Sequence, residues 1–182
     1  MNSIQIYSIH KGDVNTMTYA VIYNSATGNT KMLADRIRKK LGEDDCVFFG
    51  GPRTDVPKAD ILFVGFWTDK GYCSEELQIL LKQMENENVF LFGTAGFGKS
   101  RDYFDKILGR VEAMLSAGNK VAGSFMCQGK MQESVRRRYE TMLEQDPKDM
   151  RAQQLIENFD QALTHPDEKD LENLDQCLKE LL

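Results

Sequence analysis

Val21-Ile22-Tyr23-Asn24-Ser25-Ala26-Thr27-Gly28-Asn29-Thr30 joins an apolar run to an amphipathic one. Residues 19–23 carry no charged break, as expected of a strand covered on both faces. After the junction, Leu33, Ala34, Ile37 and Leu41 recur at helical spacing, while Lys31, Asp35, Arg36 and Arg38 fill the other face. Between the two, residues 25–30 offer small hydroxyl and amide side chains, one glycine and no charge. Such a turn presents main-chain N–H groups at a helix N-terminus, where the helix dipole favours an anion. The hydroxyls of Ser25, Thr27 and Thr30 and the amide of Asn29 add neutral donors. One such residue would suffice to cap a helix. Several around a single glycine exceed what capping needs and point to a bound phosphate.

Working outward, apolar runs and amphipathic stretches alternate. Residues 46–49 form a short second strand closed by Gly50-Gly51-Pro52, and residues 61–67 a third. A helix is predicted over about 74–85, with Leu77, Leu80 and Leu81 inward. A fourth strand follows at 89–93, a helix at about 103–117 and a fifth strand at 121–127, with helix beyond. This order predicts an α/β fold: a five-stranded parallel sheet with right-handed crossovers and helices on both faces. Ligands of such sheets bind beyond the carboxyl ends of the strands, where the turns after Tyr23, Trp67 and Gly93 open.

Composition fits this reading. At 182 residues, 41% hydrophobic and 28% charged, the chain suits one soluble domain. No apolar stretch approaches the roughly 18 residues of a membrane span. The first residues lack the basic-then-apolar layout of a signal peptide. Cys46, Cys73, Cys127 and Cys177 are widely spaced and read as reduced thiols, so a cytoplasmic location is expected. Residues 1–128 hold 15 acidic and 15 basic side chains, and residues 129–182 hold 13 and 8. The whole formal charge of −5 therefore lies in the C-terminal third, which argues against nucleic acid as a partner. Residues 1–17 are expected to be an N-terminal extension. Either Ile4 and Ile6 alternate there as in an edge strand, or the segment precedes a start at Met17. Residues 147–182 are expected to add two helices packed on the same domain, broken at His165-Pro166, with Asp167 and Asp170 as capping partners.

A rival phosphate site lies further on. Gly93-Thr94-Ala95-Gly96-Phe97-Gly98-Lys99-Ser100 matches the P-loop pattern G-x-x-x-x-G-K-[ST]. A nucleotide triphosphatase also needs a magnesium carboxylate, usually closing a neighbouring strand. Neither 64–67 nor 124–127 ends in one, and Asp69 lies in the loop beyond Trp67. A receiver-like module would need acidic residues at strand ends, whereas Asp44-Asp45 precedes the second strand.

Residues 21–30, with Ala34 and Ile37 behind them, resemble the signature of the flavodoxin family, and the strand-helix order extends the resemblance from about 18 to 143. The resemblance implies a flavodoxin-like three-layer sandwich over residues 18–146, extra C-terminal helices, non-covalent FMN and electron transfer to a redox partner protein. It implies that Ser25, Ala26, Thr27, Gly28, Asn29 and Thr30 hold the FMN phosphate. It also implies that Phe66, Trp67, Thr68 and Asp69 flank the isoalloxazine on one side, and Thr94, Ala95, Gly96 and Phe97 on the other. Trp67, the one tryptophan of the chain, is expected to stack on the ring. Cys127-Gln128-Gly129-Lys130-Met131 resembles a flavodoxin subgroup, some of whose members accompany tetrapyrrole (bilirubin) reductases.

The third turn departs from the family. Many flavodoxins carry an acidic residue there and then a Tyr over the outer flavin face; here Lys99 follows Gly98, and Arg101 stands near the Tyr position. Phe97 or Tyr103 is left to supply the ring. Negative charge near a reduced, anionic flavin lowers its potential, so Lys99 predicts a less negative one. Three readings stay open: an FMN electron carrier, an FMN-dependent oxidoreductase acting directly on a quinone or tetrapyrrole-type substrate, and a P-loop nucleotide-binding protein through residues 93–100. No His or Cys constellation identifies a substrate for the second, although the cofactor itself can do that chemistry. Cys73 alone reads as inert.

Overall fold

Five strands, β1 (Tyr19–Tyr23), β2 (Cys46–Gly50), β3 (Ile61–Trp67), β4 (Asn88–Ala95) and β5 (Lys120–Gln128), pair in parallel in the order β2-β1-β3-β4-β5. They belong to a computed structural model that describes residues 17–68, 70–98 and 100–181. The expected edge strand at Ile4 and Ile6, together with Asp69 and Lys99, lies outside the described residues. The strand order reverses between β1 and β3, which opens a crevice at their carboxyl ends.

Period-two alternation feeds two cores. Leu62, Val64 and Phe66 point to one face, where α2 (Glu75–Gln83) and α3 (Arg101–Glu112) bury Leu77, Leu81, Ile107 and Val111. Ile61 and Phe63 point to the other, where α1 (Asn29–Leu41) and α6 (Glu168–Leu181) bury Leu33, Ile37, Leu174 and Leu178. The result is the expected three-layer sandwich. Between β5 and α6, α4 (Glu133–Gln145) and α5 (Met150–Ala162) pack on each other. Arg136 of α4 forms an ion pair with Asp160 and lays its guanidinium 5.6 Å from the ring centroid of Phe159. Of the segment 147–182, α5 thus belongs to this hairpin, while α6 completes the layer of α1. The start of α6 is a reciprocal cap: Asp167 N donates to Asp170 Oδ2 at 3.0 Å, and Asp170 N to Asp167 Oδ1 at 2.9 Å.

Two elements, β4 and α3, differ from the sequence expectation. β4 continues past Gly93 to Ala95, because Thr94 still pairs with Trp67 and Cys127, and Ala95 with Gln128. α3 runs over 101–112 rather than 103–117; it is capped at Ala113, and the chain turns at Gly118 with φ 94°. The β2–β3 connection carries no helix, in keeping with its Gly51, Pro52 and Pro57. Inside the sheet, glycines face aromatic rings in register: Gly65 with Phe92, Gly93 with Phe66, and Gly123 with Phe90. Each ring lies over its partner's missing Cβ, closest at Gly65, where a Cβ would fall 2.2 Å from Phe92 Cζ.

One ion cluster anchors α6. Arg36 donates through Nε and Nη2 to both oxygens of Asp175 at 3.0 Å, and Lys40 Nζ donates at 3.1 Å. The Asp175 side chain is 12% exposed. Its hydrogen bonds from Arg36, reinforced by Lys40, hold its carboxyl below the ordinary carboxylate range against a smaller opposing effect of burial. A lowered folded pKa stabilises the protein above the unfolded value, about 3.9, and the gain is lost as pH falls through the folded one. Asp175→Asn is therefore expected to cost about 1.5–3 kcal/mol at pH 7. Urea unfolding at both ends of the range should show the gap from the native protein narrowing below about pH 4.

Candidate cofactor site

The site begins where β1 leaves the sheet. Asn24 N donates to Gly65 O at 3.0 Å, and Asn24 Nδ2 to Ser74 Oγ at 3.2 Å, so the exit of β1 is held beside β3 and the start of α2. Gly28 then caps α1 with φ 85°, a left-handed conformation that costs glycine little. Ser25 Oγ accepts from Lys31 N at 3.2 Å, and Thr27 Oγ1 from Asn29 Nδ2 at 2.8 Å. Among the described residues, the main-chain N–H groups from Ala26 to Thr30 meet no protein acceptor. These donors cluster at one helix N-terminus with no charged side chain between them. A Cβ placed on Gly28 would meet nothing within 4 Å, so the turn faces open space.

Two contacts tie this turn to the rest of the crevice. Thr30 Oγ1 lies 3.2 Å from Thr94 Oγ1, both residues buried. Asn29 Nδ2 donates to Lys130 O at 2.8 Å across the β5–α4 connection, while Asn29 Oδ1 is buried without a partner among the described residues.

The second turn is more mixed. Trp67 ends β3, half-buried and in register with Thr94. Thr68 N donates to Thr94 O at 2.9 Å, but Thr68 Oγ1 is buried with no partner among the described residues, leaving a hydroxyl unspent at the crevice. Phe66 is fully buried with its ring against Gly93, which leaves it no side-chain surface for a ligand. Tyr72, not singled out from sequence, is exposed at this end, with the Arg110 guanidinium 5.6 Å from its ring centroid.

In the third region, Thr94 and Ala95 are buried strand residues, and the turn proper starts at Gly96. Gly96 O accepts from Gln128 Nε2 and Asn158 Nδ2, both at 3.0 Å. Phe97 is 38% exposed. Sequence reading quoted Gln128 only within the 127–131 motif and missed Asn158, because no local spacing connects either of them to the third turn. Of the P-loop pattern, the first three positions are strand and Gly93 lies beneath the Phe66 ring, which leaves fewer residues to wrap a phosphate.

Unspent N–H groups at residues 26–30, open space at Gly28 and a buried unpaired hydroxyl at Thr68 fit a phosphate ester joined to a planar polar ring. The family model for the flavodoxin domain matches residues 20–179. The chain belongs to the flavodoxin domain family. It is 42% identical over 172 residues to the flavodoxin-like domain-containing protein BilS of Clostridium symbiosum (strain WAL-14163), covering 85% of this chain and 90% of that one. BilS of Clostridioides difficile (strain CD3) is 31% identical over 173 residues, covering 91% and 97%. Among solved structures, the fold resembles the Trp repressor binding protein of Bacillus subtilis, with a TM-score of 0.55, 14% identity and coverage of 89% and 97%. It also resembles oxidised flavodoxin 2 of Bacillus cereus, with a TM-score of 0.51, 15% identity and coverage of 91% and 99%. Membership of the flavodoxin family points to FMN, and the donor set of this flavodoxin-domain protein suits it. Among the described residues, no helix is long and apolar enough to cross a membrane.

Proposed function

We propose that this flavodoxin-domain protein is a cytoplasmic electron carrier that holds FMN non-covalently and serves a redox partner protein. The carrying observation is the turn at residues 25–30, whose neutral donors suit a monophosphate without a metal ion. In this reading Ser25, Thr27, Asn29, Thr30 and the N–H groups of residues 26–30 hold the phosphate. Trp67, Thr68, Gly96 and Phe97 border the ring, with Thr68 Oγ1 free to hydrogen-bond to it. Asp69 would join them at the second turn. Bound FMN supplies reversible one- and two-electron chemistry. His165 Nδ1 is engaged with Asp170 Oδ2 at 2.6 Å, and Cys73 is buried, its thiol pushed up by burial to about 11. Such a thiol stays protonated and is a poor nucleophile at neutral pH.

The purified protein should show the visible bands of oxidised flavin and release FMN on denaturation. Turnover with NAD(P)H and quinones alone should be slow, and addition of a reductase partner should accelerate reduction. A colourless protein that FMN fails to reconstitute would overturn the cofactor reading. Fast partner-free turnover would overturn the carrier reading and favour the oxidoreductase.

A further inference from the structure

We propose that the cleft between the third turn and α5 is a second binding site, for a small planar aromatic molecule bearing a carboxylate or similar anionic group. The helical hairpin of α4 and α5 brings this cleft into being. Asn158, only 3% exposed, donates through Nδ2 to Gly96 O at 3.0 Å, and Gln128 Nε2 lies 3.3 Å from Asn158 Oδ1. This buried polar clamp fixes α5 against the turn. Between them opens a cleft of about 530 Å³ walled by Phe97, Tyr103 and Leu155, with Arg151, Gln154 and Asn158 as its larger polar groups.

Size selects the class of occupant. Small-molecule sites commonly span about 300–1,000 Å³, whereas a stable protein contact needs about 800 Å² from each partner. Shape and chemistry narrow it further. Phe97 and Tyr103 supply two aromatic rings and Leu155 an aliphatic wall, a lining suited to a flat apolar body. Among the described residues no carboxylate lines the cleft, and none lies within ion-pair distance of Arg151. Arg136, on the neighbouring helix, is by contrast engaged by Glu140 and Asp160. An unpaired guanidinium at the rim of an apolar cleft selects an anion, and its planar fork suits a carboxylate. The cleft shares Phe97 with the turn assigned to the flavin. Only that adjacency rests on the FMN reading; the cleft itself is built from this chain alone.

The test is isothermal titration of the FMN-loaded protein with naphthalene-2-carboxylate and with neutral naphthalene-2-carboxamide. The carboxylate should bind at least about tenfold more tightly, and Arg151→Gln should abolish the difference. Leu155→Glu, which puts a like charge into the cleft, should remove binding of the carboxylate. FMN affinity, read from flavin fluorescence, should stay unchanged in both variants and reports that each is folded. The proposal is overturned if neither probe binds, if both bind equally to the native protein, or if Arg151→Gln keeps the preference. Should FMN itself fail to bind, the cofactor reading falls, and the same titration on the FMN-free protein still decides the cleft.

Discussion

Gly28→Val is expected to weaken FMN binding by about 5- to 150-fold, the factor that corresponds to about 1–3 kcal/mol of local backbone strain. Gly28 sits at φ 85°, where a β-branched residue is strongly disfavoured. No clash contributes, because a Cβ there meets nothing within 4 Å. The penalty is therefore conformational, and the turn can escape it by rotating. No packed neighbour opposes that rotation at Gly28, so the strain should be released rather than stored. Release turns the N–H groups of residues 26–30 away from a common centre, and the affinity falls by the fraction of chains left in the binding shape. Unfolding of the FMN-free protein should change by less than about 1 kcal/mol for the same reason. Gly28→Asn, which tolerates the left-handed region, should lose much less. Flavin fluorescence titration measures all three proteins. Native affinity in the valine variant would remove this turn from the phosphate site.

That turn was legible because its parts are consecutive. Strand, hydroxyl-rich junction and helix follow one another within 25 residues, from Tyr19 to Leu41, and local chemistry dictates each. The cap of α6 was legible likewise, since Asp167 and Asp170 stand three residues apart. Features set by distant partners were not. The end of β4 depends on pairing with Trp67 and Cys127, so Thr94 and Ala95 read as turn from their own neighbourhood and proved to be strand. Phe66 looked available at a strand end, yet Gly93 on the next strand makes a seat for its ring and draws it into the core. The hold of Gln128 and Asn158 on Gly96 spans 32 and 62 positions, and the anchoring of Asp175 by Arg36 spans 139. Amphipathic spacing predicts that α5 and α6 are helices, but it does not say that α5 leans on the third turn while α6 covers α1.

The sheet itself yields the second large effect. Gly65→Ala is expected to destabilise the protein by about 1–3 kcal/mol, at the upper end of that range. In an ordinary strand the change would gain up to about 1 kcal/mol by stiffening the unfolded chain. Here the new Cβ would stand 2.2 Å from Phe92 Cζ, inside a core where Phe92 is fully buried and cannot swing out. Steric cost therefore decides the sign. If so, shrinking the ring should relieve it. Phe92→Leu alone leaves a cavity and lowers stability, but Gly65→Ala added to it should cost under about 1 kcal/mol, the methyl filling part of the space. Chemical denaturation of the four proteins measures this coupling. FMN affinity of the Gly65→Ala protein adds a second readout, because Trp67 ends the same strand, Thr68 follows it directly, and any displacement of β3 moves them. Equal losses in the native and Phe92→Leu backgrounds would show that the ring does not set the requirement for glycine. The cost would then lie in the β3 backbone itself.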